Sequence, residues 1–347
     1  KSILNPSKAG VLTKVLIPVR EGPECNNITW KTEFEAGRLE TALLEHCHSQ
    51  YRRASETQFG HGPMQDLLGF HGLTQAADQI LRGTLFENYD TDCFPGVKEF
   101  VSAMIIPKEM TNLTKINTEI SEADFTKGIR GWKESTSTSP SGQHLGHYKA
   151  SLRGKELTVG YARMLNIPVQ MGFSPKRWQQ AVYVLLEKDK GIPKISRLRI
   201  IHLFEADYNL FLKLIWGCCM IGRAEEHNAL GEEMQGSRKN RGTMDMMYKK
   251  IITFDIARQL RSNVAIFENY AASCFDRILV NLAMVCARRL GLPKEAIMAN
   301  SETLRLMKYM IKTGYGNSTG HHTGSEKHWR EQAKEVEHHQ QSGSPSV

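Results

Sequence analysis

A charged turn between two apolar runs has the residue types that bind phosphate groups. Residues 182–186 and 198–203 are rich in β-branched and aliphatic side chains, which is typical of two strands. Between them, residues 187–193 carry Lys188 and Lys190 beside a glycine and a proline. This pattern predicts a β-hairpin with a basic tip that reaches over a phosphate-bearing ligand. A plain surface hairpin explains the same composition.

A second basic segment is flanked by glycines. Residues 236–242 read Gly-Ser-Arg-Lys-Asn-Arg-Gly, so Arg238, Lys239 and Arg241 lie within one short loop. Guanidinium groups meet phosphate oxygens through paired hydrogen bonds, and backbone N–H groups of such a loop can add to the contact. The segment lacks the Gly-x4-Gly-Lys-Ser/Thr spacing of a P-loop. We expect these three side chains to contact nucleic acid.

Other chemistry receives little support. The run His46-Cys47-His48 has the composition of a metal site, but no second ligand pair stands at zinc-finger spacing. An amphipathic helix face is the alternative explanation for these residues. The serine-hydrolase, zinc-protease and dinucleotide-binding patterns have no match in a suitable context.

Charge is distributed unevenly along the 347 residues. The chain has 45 Lys and Arg against 37 Asp and Glu, a net charge of +8. Residues 1–150 hold 16 basic and 18 acidic groups, a net −2, and residues 151–347 hold 29 and 19, a net +10. A basic C-terminal half favours a polyanionic partner, of which nucleic acid is the commonest. Ordinary solvated lysines are the alternative.

The seven cysteines form no Cys-x-x-Cys pair, and their odd number is typical of reduced thiols in the cytoplasm or nucleus. The longest nearly apolar run, residues 211–221, is much shorter than the roughly 20 residues that a bilayer requires. We therefore expect an intracellular protein with no membrane partner.

The elements that would position these segments are mainly helical. Ser121, with Asp124 three residues later, predicts a helix N-cap. Residues 134–148 contain Ser, Thr, Gly, Pro and His without an apolar face, which predicts a long loop that is either functional or a surface linker. Residues 264–268 predict a buried strand. A helix after Gly242 carries an apolar stripe that we expect in the core, formed by Met244, Met247, Ile251 and Phe254.

Read in order, these segments resemble the reverse transcriptase domain of eukaryotic retroelements of the non-long-terminal-repeat type. Residues 132–150 resemble the block that precedes the fingers, and residues 172–203 resemble the fingers hairpin. Residues 232–245 are similar to the Gly-x-Arg block before the first catalytic strand. Residues 267–278 look like motif A with its helix, and residues 340–347 resemble an altered start of motif B.

The resemblance implies an α+β, helix-rich fold with the fingers and part of the palm of a right-hand polymerase. A mostly helical N-terminal region over residues 1–120 would precede a fingers-like region over 121–262 and a partial palm over 263–347. The family transfers nucleotides with two Mg²⁺ ions, which carboxylates hold. The implied partners are an RNA template, a DNA primer or hybrid, and deoxynucleotide triphosphates.

The resemblance also implies roles for particular residues. Lys188 and Arg199 would grip the incoming triphosphate, with Lys190 as the alternative to Lys188. Phe275 stands where the family has an aromatic gate against the ribose 2′ hydroxyl, although a core aromatic explains Phe275 equally well.

Two departures bear on activity. The motif A aspartate should stand six residues before Asp276, where the sequence has Tyr270. A phenol with a pKa of about 10 is neutral at pH 7 and binds Mg²⁺ poorly. Glu268 lies on the same strand face but about 7 Å away, which makes it a weak substitute. The sequence ends within motif B and contains no Tyr-x-Asp-Asp of motif C.

We therefore expect a reverse transcriptase domain fragment, of an RNA-directed DNA polymerase from a retrotransposon, that does not polymerise. One alternative is a non-enzymatic, nucleic-acid-binding relic of such an element. Another is a fragment that does not fold.

Overall fold

The computed structural model describes residues 11–20, 28–55, 59–60, 63–89, 96–111, 115–134, 140–232, 234, 236, 238, 240–265 and 278–323. These residues form a mixed α+β fold that is rich in helix, which agrees with the predicted class. The strands are Val15–Arg20 (β1), Ile28–Glu33 (β2), Gln180–Glu187 (β3), Leu198–Leu203 (β4), Lys308–Thr313 (β5), Gly316–Asn317 (β6) and His322–Thr323 (β7).

The helices are Ala36–Ser55 (α1), Pro63–Leu68 (α2), Gln75–Arg82 (α3), Leu85–Asn88 (α4), Val97–Ala103 (α5), Lys108–Thr111 (α6), Glu122–Arg130 (α7), Leu145–Ser151 (α8), Lys155–Met171 (α9), Ala206–Phe211 (α10), Gly222–Glu226 (α11), Thr243–Gln259 (α12), Val280–Arg289 (α13) and Lys294–Leu306 (α14). Short 3-10 helices occupy Lys176–Gln179 and Ile195–Arg197, and a π-helical segment runs over Leu212–Ile221.

The predicted hairpin is present, with its strand β3 inside the main sheet and its strand β4 at the sheet edge. β3 pairs with β4 in antiparallel register, with Val184 opposite Ile201. On its other side β3 pairs with β5 in parallel register, with Val184 opposite Lys312. The short strands β6 and β7 both pair with β5. β5 lies in the segment assigned to the palm and β3 in the fingers-like segment, so these two segments share one sheet. The three-segment division itself stays a prediction.

One face of this sheet is buried against α1. Alternate residues of β3 point to that face, and Tyr183 and Leu185 are each only 1% exposed. They share a hydrophobic cluster with Leu39 and Leu43 of α1, whose side chains are fully buried. Burying an aliphatic side chain of this size stabilises a fold by about 1.5–3 kcal/mol. Cys47 is buried in the same cluster, so it faces the core as the amphipathic-helix interpretation of residues 46–48 requires.

A helical layer adjoins the start of β3. The helix predicted at Ser121 forms as α7, and its capping box is complete because Ser121 and Asp124 satisfy each other's backbone N–H groups. Phe125 and Ile129 of α7 join the largest cluster together with residues of α9, α10 and α14. The loop expected over residues 134–148 ends earlier than predicted, because α8 begins at Leu145 and buries it.

The prediction for the methionine-rich helix was wrong in one respect. The helix forms as α12, but its apolar stripe is not in the core: Met244, Ile251 and Phe254 are 54–57% exposed. Within the described ranges, Ala257 is the only residue of α12 that is buried. Apolar residues occur on several sides of α12, so helical periodicity could not indicate which side a neighbour covers.

Other predictions fall partly outside the described residues. Residues 264 and 265 are not in a strand, and residues 266–268 lie outside the ranges that the structure describes. Among the helices that it does describe, none combines the length and apolar character needed to cross a membrane.

Two histidines lie in an aromatic cluster on the sheet. The rings of Tyr183 and Tyr309 stack with centroids 5.0 Å apart, and His322 stacks on Tyr309 at 4.8 Å. The centroid of the His202 ring lies 4.7 Å from that of Tyr183. Burial lowers the pKa of His202 to about 4. Burial, reinforced by His48, His202 and His321, lowers the pKa of His322 to about 3. Both imidazoles are therefore neutral in the folded protein at pH 7.

The fold should consequently lose stability in mild acid. Unfolded histidine has a pKa near 6.5, so below that pH the unfolded chain binds more protons than the folded chain. Above about pH 6.5 these histidines do not change the free energy of unfolding. As the pH drops toward 4, the free energy of unfolding falls by about 1.4 kcal/mol per pH unit for each histidine. Urea unfolding at pH 7.5, 6 and 5 measures this slope. His202→Phe should flatten it, and an unchanged slope in that variant would contradict the assignment.

Candidate nucleic-acid interface

The face of the sheet opposite α1 is basic and largely accessible, although Val182 within it is only 5% exposed. Strand alternation places Val184 and Leu186 of β3 on this face, and register adds Lys312 beside Val184 and Arg199 beside Leu186. Lys308 lies beside Gln180 at the other end. The three cationic residues are exposed. We call this surface the open face; its members are Gln180, Val182, Val184, Leu186, Arg199, Ile201, Leu203, Lys308, Met310 and Lys312.

The strand residues of the open face include no carboxylate. Ile201 is 41% and Leu186 36% exposed, so the cations surround an accessible apolar strip. A surface that carries positive charges and no negative ones attracts an anion. Its apolar strip can contact a sugar or a base. The open face therefore has the chemistry of a nucleic-acid contact.

The hairpin tip extends this basic surface. Lys188 continues the alternation of the open face, its backbone N–H donates to the Arg197 carbonyl at 3.1 Å, and its side chain is exposed, as is that of Lys190. The two carboxylates of the tip are engaged locally. Asp189 accepts from Arg197 at 2.9 and 3.3 Å, and Glu187 accepts from the Gly191 N–H at 2.7 Å.

Those contacts decide which charges the tip presents. Hydrogen bonding to the Arg197 guanidinium holds the pKa of Asp189 below its usual value, so this carboxylate stays ionised and paired. No ion pair is described for Lys188, Lys190 or Arg199 within the parts of the chain that the structure covers. The hairpin thus brings Arg199 together with Lys188 and Lys190, the two alternatives for the lysine that was predicted to grip a triphosphate with it.

A buried polar network anchors the hairpin to the loop that precedes it. Arg177, just before β3, donates to Asp207 and Gln143 and, at 3.0 Å, to the Tyr148 hydroxyl. Its guanidinium also lies 3.6 Å from Glu205, a residue with no exposed surface. Ser141 donates to Glu205 through its backbone N–H at 2.8 Å and its hydroxyl at 2.9 Å.

Burial dominates the electrostatics of this network. It raises the pKa of Asp207 and of Glu205, although Arg177 acts in the opposite direction on both. Burial also raises the pKa of the Tyr148 hydroxyl, which stays protonated. One guanidinium therefore compensates two buried carboxylates. The arrangement positions the loop at Ser141 and Gln143 rather than offering a reactive group.

Arg238 and Arg241 of the glycine-flanked loop differ in their exposure to solvent. Arg238 is only 8% exposed, is paired with Glu225 at 2.5 Å, and donates to the carbonyls of Gly231 and Met234 at 2.8 and 3.1 Å. Its guanidinium closes the loop. Arg241 is exposed and donates to the Glu232 carbonyl at 3.2 Å. Composition alone offered no signal to separate Arg238 from Arg241.

The predicted palm residues lie outside the described ranges. They are Glu268, Tyr270, Phe275 and Asp276. Lys239 of the glycine-flanked loop also lies outside the described ranges. The roles assigned to all five residues stay predictions. Among described residues, no group of three or more histidine, cysteine, aspartate or glutamate side chains could hold a metal ion. The carboxylates that the sequence offers near motif A, Glu268 and Asp276, lie outside those ranges.

Sequence reasoning missed the lysines of β5. Lys308 and Lys312 reach the open face because residues 308–313 alternate between basic or apolar residues facing outward and buried residues facing α1. That alternation, Lys-Tyr-Met-Ile-Lys-Thr, was a usable strand signal.

A scan against protein-family models found no match to this chain, and a search of the curated proteins found none either.

Removing the central guanidinium should destabilise the fold. Arg177→Ala leaves Asp207 and Glu205 buried without their counter-charge, which costs about 3–5 kcal/mol. Urea denaturation at pH 7 measures the loss. Arg163→Ala is the matched control, because Arg163 is exposed on α9 and should change stability by less than about 0.5 kcal/mol. Equal stability of the two variants would show that the network contributes little.

Proposed function

We propose that this chain is a reverse-transcriptase-like domain that binds an RNA–DNA hybrid or a template–primer through the hairpin and the open face, without polymerising. The observation that supports this best is the hairpin itself. It spans the segment that resembles the fingers hairpin, and Lys188, Lys190 and Arg199 lie on its tip and outer strand. The motif order from residue 132 onward supports the family assignment.

Binding without catalysis follows from what the two tasks need. Phosphate contacts need only fixed cations, which the open face and the tip supply. Two-metal nucleotidyl transfer needs a cluster of carboxylates. Tyr270 stands in place of one of them, and no Tyr-x-Asp-Asp occurs in the 347 residues. Deoxynucleotide triphosphates are the small-molecule ligands that the hairpin would accept. A nucleic-acid partner would place the protein in the cytoplasm or nucleus.

A charge-matched pair of variants tests binding by the open face. Affinity for a fluorescent RNA–DNA hybrid should fall linearly with log salt. Arg199→Glu with Lys312→Glu should weaken binding at least about tenfold and reduce the salt slope by about 2, since two phosphate contacts are lost. Lys108→Glu with Lys155→Glu makes the same change in net charge on helices α6 and α9, where both lysines are exposed.

Fluorescence anisotropy at four salt concentrations gives both quantities, and circular dichroism checks that each variant folds. A similar loss in both double variants would mean that net charge alone attracts the hybrid. Absence of salt-dependent binding by the natural sequence would exclude the proposal itself.

Primer extension tests the second half of the proposal. With Mg²⁺, deoxynucleotides and an RNA template, this chain should give no extension above a protein-free blank. Tyr270→Asp should not restore it, because one added carboxylate still leaves the motif C ligands missing. Template-dependent extension well above the blank would overturn the assignment of an inactive domain.

A further inference from the structure

The β1–β2 ribbon is attached to the tip of the hairpin. The Leu16 N–H donates to the Pro193 carbonyl at 2.8 Å, and a parallel bridge joins Leu16 to Lys194. Val15, the preceding residue, is fully buried in the cluster under the sheet. The ribbon is therefore held at a fixed position beside the basic tip.

Trp30 of this ribbon has no packing role of the kind that the other described tryptophans have. Trp178 is 1% exposed, and Trp132 and Trp216 pack against the largest hydrophobic cluster. Trp30 belongs to none of the hydrophobic clusters of the described residues and is partly exposed. The Lys194 ammonium lies 4.8 Å from the centroid of its ring. Part of a large aromatic ring thus reaches the surface, with a cation over one of its faces and the other face left for a base.

The surroundings of Trp30 are apolar and basic. Ile28 on the same ribbon face is 50% exposed, and Ile192 of the tip is 47% exposed. Lys14, just before β1, is exposed; Lys31 is exposed too, but strand alternation places it on the ribbon face opposite Trp30. The carboxylate of Glu33 is engaged, since it accepts from the N–H groups of Phe34 and Glu35 at 3.1 Å each. The ribbon continues the cationic surface of the hairpin.

We propose that Trp30 is a stacking platform for one unpaired base of a single-stranded nucleic acid, with Lys194 contacting the adjoining phosphate. This inference rests on the proposed function, because it assumes that the hairpin binds nucleic acid. An exposed aromatic ring among cations is the arrangement by which proteins bind single strands, since every base has a face that can stack. The faces of paired bases are covered by their neighbours, so a duplex offers Trp30 no internal base.

The experiment compares Trp30→Leu and Trp30→Phe with the natural chain. The probes are a single-stranded RNA 12-mer, an abasic 12-mer of equal charge, and a blunt RNA–DNA hybrid. Trp30→Leu should weaken binding of the RNA 12-mer about tenfold, while Trp30→Phe should retain most of the affinity. The natural chain should bind the abasic 12-mer no better than Trp30→Leu does. The salt slope and the hybrid affinity should not change.

The outcomes separate this inference from the function beneath it. Equal losses for the RNA 12-mer, the abasic 12-mer and the hybrid in Trp30→Leu would show a structural role and overturn the stacking proposal. An unchanged affinity in Trp30→Leu, with hybrid binding still sensitive to Arg199 and Lys312, would overturn the stacking proposal alone. Absence of binding to all three probes by the natural chain would overturn both.

Discussion

The Arg177 guanidinium is the interaction on which the arrangement of the described fold depends. Asp207 and Glu205 are buried carboxylates, and such groups are tolerated only with a counter-charge and hydrogen bonds. Arg177 supplies the charge, and Ser141 supplies hydrogen bonds from the preceding loop. The next residue, Trp178, packs against Tyr208 and Phe211, with its ring centroid 5.2 and 5.4 Å from theirs. Together these contacts set where β3 begins and in which direction it leaves the helical layer.

Once β3 is placed, the rest of the interface follows from alternation and register. Tyr183 and Leu185 must face α1, so Val184 and Leu186 face outward. Pairing then brings a cation from each neighbouring strand to the outward face, Arg199 from β4 and Lys312 from β5. The buried face contributes stability, and the open face is left for a ligand. The same strand therefore links the hydrophobic core to the proposed function.

Local patterns in the sequence predicted local structure well. The capping residues at Ser121 and the two strands of the hairpin depend on neighbours a few residues apart, and both formed as expected. The parallel pairing of β5 with β3 joins residues more than a hundred positions apart, and no local pattern specifies such a partner. α12 was misjudged because periodicity indicates an apolar side without indicating what packs on it.

The candidate site was predictable to a similar extent. Lys188 and Lys190 were expected at a hairpin tip because a basic turn between two apolar runs is visible in sequence, whereas Arg199 was singled out by the family resemblance; their roles stay predictions. The burial of Arg238 was not expected, since its partner Glu225 stands 13 positions away and no local pattern pairs the two. No pattern in the sequence pointed to Trp30, because its proposed role depends on Lys194, which lies on a turn far along the chain.

Hydrogen–deuterium exchange with and without an RNA–DNA hybrid tests the central claim most directly. Backbone amides protected by contact report where the ligand lies without altering any side chain. The account predicts slower exchange over residues 184–201 and 308–313, with α12 unchanged despite its exposed apolar residues. Protection confined to α12, or spread equally over the helices, would contradict it.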